Sequence, residues 1–253
     1  MNYKFIFDKD FSEKYMIELS QEELRIVIAT VLGGHNALFY GYKPERLVNA
    51  IKSLSKILHS EEPSSDISIE EFCGGGPNLH KCVISNADGG ILIMNNIQDF
   101  RTSIIQMLRV FITNKNITLS RAGNNVTYPC NFQLIATTSS VFEYQDKLKL
   151  VTKYCDVIYC CKTGIERDTY KTSIISRIFN DSYEAYIRTC SFRKNYSAKL
   201  SELGMTDIAV AEHGDPDIKI KRLAKTIAAI KGHGKIWDTD IDDALKFTKV
   251  INN

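Results

Sequence analysis

The sequence predicts an α/β protein in which a parallel sheet is flanked by helices and followed by a small, all-helical carboxy-terminal domain. Four short apolar runs have the length and composition of strands buried on both faces, at residues 37–40, 91–94, 132–136 and 156–160. Stretches of helical periodicity separate them, and alternating strands and helices are typical of a parallel sheet. After about residue 164 only helical patterns remain.

Three segments are predicted along the chain of 253 residues. Residues 1–16 form an extended arm, residues 17–164 the α/β core, and residues 165–253 a helical lid domain. The amino-terminal residues carry acids early, which argues against a signal peptide, and no apolar run is long enough to cross a bilayer. A cytoplasmic protein is therefore expected. In the lid, helices are predicted at residues 166–188, 196–203, 217–231 and 239–250.

Local signals define several elements of the core. Ser20, followed three residues later by Glu23, is the signature of a capping box, and the helix that it opens is predicted to stop at Gly33 and Gly34. The polar stretch 60–66 is predicted to be a loop. Further helices are predicted at 47–58 and 99–112, and a hairpin at 117–126 with its turn at 122–125.

Composition excludes several broad classes of protein. Hydrophobic residues make up 44% of the chain and charged residues 25%, as in ordinary globular domains. The net charge of +2 is too small to indicate nucleic-acid binding by bulk electrostatics. The seven cysteines include no C-x-x-C pair, which favours a reducing compartment. A local basic cluster, interpreted as a solvated helix face, comprises Lys219, Lys221, Arg222 and Lys225.

The loop after the first predicted strand occupies the place of a Walker A motif, G-x-x-x-x-G-K-[ST]. Of that motif only the first glycine, Gly41, is present. Arg46 replaces the second glycine, Leu47 the lysine that neutralises phosphate charge, and Val48 the hydroxyl that binds magnesium. Nearby, Glu45 brings an anion to the phosphate position, where it would be repulsive. Lys43 or Arg46 is the only evident substitute for the missing lysine.

Four segments in order resemble the magnesium-chelatase and competence-protein family of AAA+ ATPases. They are GGHN at 33–36, ISNADGGILIMNNI at 84–97, LSRAGNNVTYPCNFQLIATTSS at 119–140 and RLAKTIAAI at 222–230. Together they cover roughly residues 17–250. The resemblance implies a P-loop-NTPase-type parallel sheet followed by a helical lid, and it places GGHN at the approach to the nucleotide loop.

Carried over residue by residue, the resemblance also implies that the catalytic motifs are degenerate. The Walker B Asp-Glu pair falls on Asn95 and Asn96, and an amide neither offers magnesium a negative charge nor acts as a general base. The sensor asparagine falls on Ser139, the arginine finger on Tyr154, and the sensor arginine near Asp215. No catalytic residue, no resident metal and no nucleotide cofactor are therefore expected.

The leading prediction is a pseudo-ATPase that acts as a structural or regulatory subunit. Its partner would be an active AAA+ homologue or further copies of itself in a ring. A second prediction is an atypical ATPase whose site uses Lys43, Arg46 and Ser139. A third is a DNA-associated module, because competence-type relatives act on DNA.

Other candidate sites have simpler interpretations. The glycine run 74–76 does not follow a strand and open a helix, which favours a flexible turn over a phosphate loop. Cys73, His80 and Cys82 fit no zinc spacing. The acids at 238–243 are interpreted as helix-cap and surface residues rather than a calcium loop. The hairpin tip, with Ser120, Arg121, Asn124 and Asn125, is equally compatible with a channel or partner contact and with an ordinary exposed hairpin.

Overall fold

A computed structural model describes eight stretches of the chain: residues 19–54, 58–75, 79–121, 123–139, 145–161, 216–231, 233 and 236–247. The predicted arm, the predicted helices at 166–188 and 196–203, and Asp215 lie outside the described residues. The boundary near residue 164 therefore stays a prediction.

The described elements alternate between helix and strand through the core. The helices are α1 (Gln21–Gly33), α2 (Glu45–Leu54), α3 (Ile69–Cys73), α4 (Val83–Asn86), α5 (Thr102–Asn114), α6 (Gln145–Thr152), α7 (Pro216–Ile230) and α8 (Asp238–Phe247), with a 3-10 turn at Ile97–Asp99. The strands are β1 (Ala37–Gly41), β2 (Ser60–Glu61), β3 (Ile91–Met94), β4 (Asn116–Arg121), β5 (Asn124–Pro129), β6 (Gln133–Thr138) and β7 (Val157–Cys161).

Five of these strands form one parallel sheet in the order β2-β3-β6-β1-β7, and β4 and β5 form a separate antiparallel hairpin. The predicted α/β class, its parallel sheet and the hairpin are confirmed. Because all pairs in the sheet are parallel, the carboxyl ends of the strands meet at one edge and their amino ends at the other. Each edge carries a distinct set of polar side chains.

The sheet is buried on both faces. Along β1, Phe39 belongs to the hydrophobic cluster that includes residues of α1, α2, α7 and α8, whereas its neighbour Leu38 belongs to the cluster that includes residues of α5 and α6. The same alternation holds in β3, where Ile93 and Leu92 face opposite clusters. No described helix has both the length and the apolar character needed to pass through a membrane.

The structure corrects three local predictions. The stretch 60–66 contains the edge strand β2, because the backbone of Ser60 pairs in parallel with that of Ile91. Two polar residues carry no strand pattern of their own, so this pairing could not be seen locally. The helix predicted at 47–58 is α2, which begins earlier, at Glu45, and whose described part ends at Leu54. The helix predicted at 99–112 is α5, which begins at Thr102 because the preceding 3-10 turn ends at Asp99.

The capping box of α1 is confirmed. The Ser20 hydroxyl accepts a hydrogen bond from the Glu23 backbone N–H at 3.1 Å, and Glu23 Oε2 accepts one from the Ser20 backbone N–H at 2.8 Å. At the other end, Gly34 caps the helix with a left-handed backbone (φ 61°). The two caps define the bounds of the helix whose end leads into β1.

We expect Ser20→Ala to lower the free energy of unfolding by about 1 kcal/mol, because a helix-terminal N–H loses its acceptor. The matched control is Ser120→Ala on the exposed face of β4, where the same change should stay within about 0.5 kcal/mol. Urea unfolding followed by circular dichroism measures both. Equal effects of the two substitutions would contradict the capping role.

Candidate functional site

The carboxyl edge of the sheet brings together most of the residues predicted to form a vestigial nucleotide site. Gly41 ends β1, Asn95 and Asn96 follow β3 directly, and Ser139 follows β6. Because β3, β6 and β1 are adjacent and parallel, these positions lie side by side. Lys43 lies in the loop after β1 and is exposed.

That loop is short and hydrogen-bonded to the neighbouring strand. Three residues, 42–44, separate β1 from α2. The Tyr42 backbone N–H donates to the Cys161 carbonyl at 2.9 Å. Gly41 has φ +94°, and a Cβ placed there would lie 2.6 Å from the same carbonyl oxygen. Glycine is required here by both conformation and space.

The first backbone N–H groups of α2 also have acceptors within the protein. The Arg46 N–H donates to the Lys43 carbonyl at 3.2 Å, and the Leu47 N–H to the Pro44 carbonyl at 3.0 Å. A phosphate-binding loop instead directs such groups at the anion. The proline at position 44 offers no N–H at all. Three N–H groups of this loop and helix start are thus already used in internal hydrogen bonds.

Leu47 and Val48 point into the hydrophobic core. Their exposed fractions are 0% and 2%, and both belong to the cluster that also contains Phe39 of β1. These are the positions predicted to correspond to the Walker A lysine and its neighbouring hydroxyl residue. Their side chains therefore supply neither a cation nor a magnesium ligand at the sheet edge.

Arg46 is tied to α1. Its Nη2 lies 3.0 Å from Glu23 Oε1, and its Nε donates to the Lys43 carbonyl at 3.3 Å. Glu23 is 3% exposed and uses its other oxygen in the capping box with Ser20. Arg46 is thus part of a partly buried ion pair that links the starts of α1 and α2.

Asn95 takes part in a chain of hydrogen bonds that includes a carboxylate. Its Nδ2 donates to Glu62, and the second carboxylate oxygen of Glu62 pairs with Lys52 Nζ. The Asn96 backbone N–H donates to Thr137 Oγ1 at 2.9 Å. An amide at position 95 can donate to Glu62, whereas an aspartate there would face a second negative charge.

Ser139 and Tyr154 are also engaged. The Ser139 hydroxyl accepts a hydrogen bond from Gln98 Nε2 at 3.1 Å, and Lys147 Nζ donates to the Gln98 carbonyl at 2.8 Å. Tyr154, at the predicted arginine-finger position, is half-buried and packs against the hydrophobic cluster on the α5 and α6 side. Its carbonyl accepts a hydrogen bond from Asn36 Nδ2 at 3.0 Å.

The GGHN motif lies at the opposite, amino edge of the sheet, just before β1. His35 is 2% exposed and lies between two partners: its Nδ1 is 3.0 Å from Asp156 Oδ2, and its Nε2 is 2.8 Å from Thr226 Oγ1 on α7. Asn36 Oδ1 accepts the Leu134 N–H at 2.8 Å, which fixes the start of β6. The motif joins elements at the amino edge and does not reach the nucleotide-site positions.

Sequence reasoning missed this cluster, because His35 is 121 residues from Asp156 and 191 from Thr226. The only signal was that GGHN and RLAKTIAAI both resemble family motifs. A hydroxyl, an imidazole and a carboxylate in line resemble a hydrolase triad. A Cβ on Gly33 would lie 2.7 Å from Thr226 Oγ1, so this backbone leaves no room for a substrate on that side.

The basic cluster of α7 is not simply a solvated face, as the sequence had suggested. Arg222 Nη1 pairs with Asp156 Oδ1 at 3.1 Å, and Lys219 Nζ donates to the Thr152 carbonyl at 2.7 Å. Lys221 is exposed and Lys225 is half-buried. Two of the four cations are therefore directed at the core.

The acids at the start of α8 also differ from their prediction in one case. Asp240 is fully buried and is not a surface residue. It accepts from the Trp237 backbone N–H at 2.9 Å, which confirms a capping role, and it pairs with Lys231 and His233 at 2.9 Å each. Within the described ranges no three His, Cys, Asp or Glu residues are grouped to hold a metal ion, including Cys73, His80 and Cys82.

Asp156 remains a carboxylate despite its burial. Burial alone raises its pKa, but the hydrogen bond and electrostatic interaction with His35, followed by the charges of Arg222 and Lys219, bring the pKa below the usual range. A buried charge that has two such partners is stable only while both are in place.

The parallel sheet and the helices that cover both its faces define the class of protein: an α/β core of the P-loop NTPase type. A family model described as "Magnesium chelatase, subunit ChlI" matches residues 49–142. The match begins immediately after residues 41–48, the stretch predicted to take the place of Walker A. It confirms the resemblance drawn from the motifs: residues 49–142 are similar to the magnesium-chelatase family.

Two curated relatives support the same assignment. Each is named "Uncharacterized protein YifB", one from Salmonella typhimurium strain LT2 and one from Escherichia coli strain K12. They are 36% and 34% identical to this chain over 74 residues, which is 29% of this chain. The chain spans about 15% of the length of each relative.

We expect Asn95→Asp to lower the free energy of unfolding by about 1 kcal/mol, because the change replaces a donor to Glu62 with a like charge. Magnesium chloride should not restore the loss. Asn125→Asp on the exposed hairpin is the matched control, and adding Glu62→Gln to Asn95→Asp should recover most of the loss. Thermal unfolding with and without magnesium measures these effects. Magnesium-dependent stabilisation of Asn95→Asp would show that a metal site can be rebuilt by one change.

Asp156 should make stability depend on acid pH. Because its folded pKa lies below the unfolded value of about 3.9, its contribution is complete at higher pH and is lost as the pH falls through the folded pKa. The difference in unfolding free energy between the wild-type chain and Asp156→Asn should therefore be largest near neutral pH and shrink below about pH 4.

Chemical denaturation across this range tests the dependence. Asp146→Asn is the control, because the Asp146 side chain is fully exposed and, within the described part of the chain, forms an ion pair only with the exposed Lys149. A wild-type advantage over Asp156→Asn that persists undiminished in acid would contradict the assignment of a charged Asp156.

Proposed function

We propose that this chain is a magnesium-chelatase-like AAA+ domain that does not hydrolyse ATP and serves as a structural or regulatory subunit. Its partner is an active AAA+ homologue or further copies of the same chain. The observation that carries the proposal is the burial of Leu47 and Val48, the two positions where an active domain presents its lysine and its magnesium-binding hydroxyl.

Magnesium-nucleotide chemistry does not fit the residues at the carboxyl edge. Arg46 is paired with Glu23, and Asn95 donates to Glu62, so neither side chain is arranged to hold a phosphate or a metal. Asn96 offers an amide where an active site needs a general base. Losses in a catalytic unit are not additive, and the several replacements together argue against turnover.

The packing of the sheet and its two hydrophobic clusters supports a scaffold role. The parallel sheet and both hydrophobic clusters are complete around the altered edge. A domain that retains its packing while its reactive positions change is suited to binding a protein. A role on DNA has weaker support, because Lys219 and Arg222 contact the core.

Calorimetric titration with ATP and ADP, with and without magnesium, tests the proposal. We expect no heat of binding at millimolar nucleotide and no phosphate release above background. Lys43→Ala should change neither result, because the pseudo-ATPase makes no use of this exposed lysine. The control is Lys246→Ala, which removes an exposed lysine from α8.

Magnesium-dependent ATP turnover that Lys43→Ala abolishes and Lys246→Ala preserves would overturn the proposal. It would favour instead an atypical ATPase in which Lys43 takes the role of the Walker A lysine. Nucleotide binding without turnover would show that the domain holds a nucleotide, and it would still agree with a domain that does not hydrolyse ATP.

A further inference from the structure

The amino edge of the sheet holds a set of polar residues that converge on α7, here called the α7 clamp: His35, Asp156, Lys219, Arg222 and Thr226. We propose that the α7 clamp holds α7 on the sheet, so that α7 opens no more readily than the sheet itself. Helix α7 is then a fixed part of the core and does not hinge away from it. The proposal does not depend on whether the carboxyl edge binds nucleotide.

The α7 clamp is centred on the buried carboxylate of Asp156. This side chain is 3% exposed, and its two oxygens have separate partners: Oδ2 contacts His35 at 3.0 Å, and Oδ1 contacts Arg222 at 3.1 Å. Arg222 brings a full positive charge from α7 into direct contact with this carboxylate. Lifting α7 would leave the carboxylate buried without its counter-ion, which is strongly unfavourable.

The imidazole of His35 connects Asp156 to α7. The ring bridges two neighbours, because Nδ1 lies 3.0 Å from Asp156 Oδ2 and Nε2 lies 2.8 Å from the Thr226 hydroxyl oxygen. A Cβ on Gly33 would lie 2.2 Å from Nε2 and 2.7 Å from Thr226 Oγ1. The end of α1, the imidazole and α7 are therefore packed in direct contact.

Lys219 lies one turn before Arg222 on α7. Its Nζ donates to the carbonyl of Thr152, the last residue of α6, at 2.7 Å. A cation at the carboxyl end of a helix meets unpaired carbonyls and the negative end of the helix dipole. Lys219 thereby ties α7 to a second helix of the core.

Apolar contacts also hold α7 on the sheet. Leu223, Ala224 and Ile227 of α7 belong to the same hydrophobic cluster as Phe39 of β1, and the first two are fully buried. Lys219, Arg222 and Thr226 recur at intervals of three and four residues, which places them along one side of the helix. The apolar stripe lies beside this polar stripe, so any opening of α7 breaks both sets of contacts at once.

Hydrogen–deuterium exchange of the full chain, read by mass spectrometry, tests the proposal. In the wild-type chain the amides of α7 should exchange as slowly as those of β6. Thr226→Val, which removes only the hydroxyl, should speed exchange in α7 relative to β6 by roughly three- to tenfold, and Arg222→Gln by more. Lys52→Gln is the control, because it breaks an exposed ion pair at the other edge and should leave the α7-to-β6 ratio unchanged.

Two results would overturn the proposal. Exchange in the wild-type α7 that is a hundredfold or more faster than in β6 would show that α7 opens freely despite the clamp. Unchanged α7-to-β6 ratios in both Thr226→Val and Arg222→Gln would show that the clamp does not hold the helix. Because the ratio is taken within each variant, a general loss of stability does not imitate the expected result.

Discussion

The buried carboxylate of Asp156 is the constraint on which much of the described structure depends. A charge that is 3% exposed persists only where hydrogen bonds and counter-charges replace its lost water. That requirement specifies an imidazole at position 35 and a guanidinium at position 222. It also demands a glycine at position 33, since any larger residue would meet the imidazole. One charge thus sets the packing of α1, β7 and α7 against each other.

The two edges of the sheet differ in how deeply their polar groups are buried. At the amino edge the polar groups are buried and paired through long-range contacts, including the two hydrogen bonds that Gln133 Nε2 donates to the carbonyls of Thr30 and His35. At the carboxyl edge the polar groups are more exposed, and the Lys52–Glu62 pair has more than a third of each side chain in solvent. Buried networks specify a unique arrangement, whereas exposed pairs add little stability. The amino edge therefore secures the fold, and the carboxyl edge is where change costs least.

Much of the fold could be predicted because its signals are local. The capping box at Ser20 and Glu23, the apolar strands and the hairpin each lie within a dozen residues of chain, and all are present. The edge strand β2 was missed because it exists only through its pairing with β3. The positions of Gly41, Asn95 and Ser139 at one edge followed from the parallel order, but their hydrogen-bond partners did not.

The contacts missed at both edges have a common cause. Arg46 meets Glu23 across 23 residues, Asn95 meets Glu62 across 33, and His35 meets Asp156 across 121. No periodic pattern encodes such pairs, because each depends on how two elements pack. The basic residues of α7 show the consequence: their spacing suits a solvated face equally well, and only the position of Asp156 decides that Arg222 faces inward.

The replaced residues at the carboxyl edge also explain one another. Arg46 stands where a phosphate loop needs a glycine, and there it neutralises Glu23, which is 3% exposed and needs a cation. Asn95 stands where magnesium needs a carboxylate, and as an amide it can donate to Glu62. Leu47 and Val48 stand where a polar loop would be solvated, and they extend the core beneath β1. Each of these side chains takes part in a contact that the catalytic residue predicted for its position could not make. On the proposed function, this edge is therefore committed to packing as well as lacking reactive groups, and introducing one catalytic residue would break a contact without creating a site.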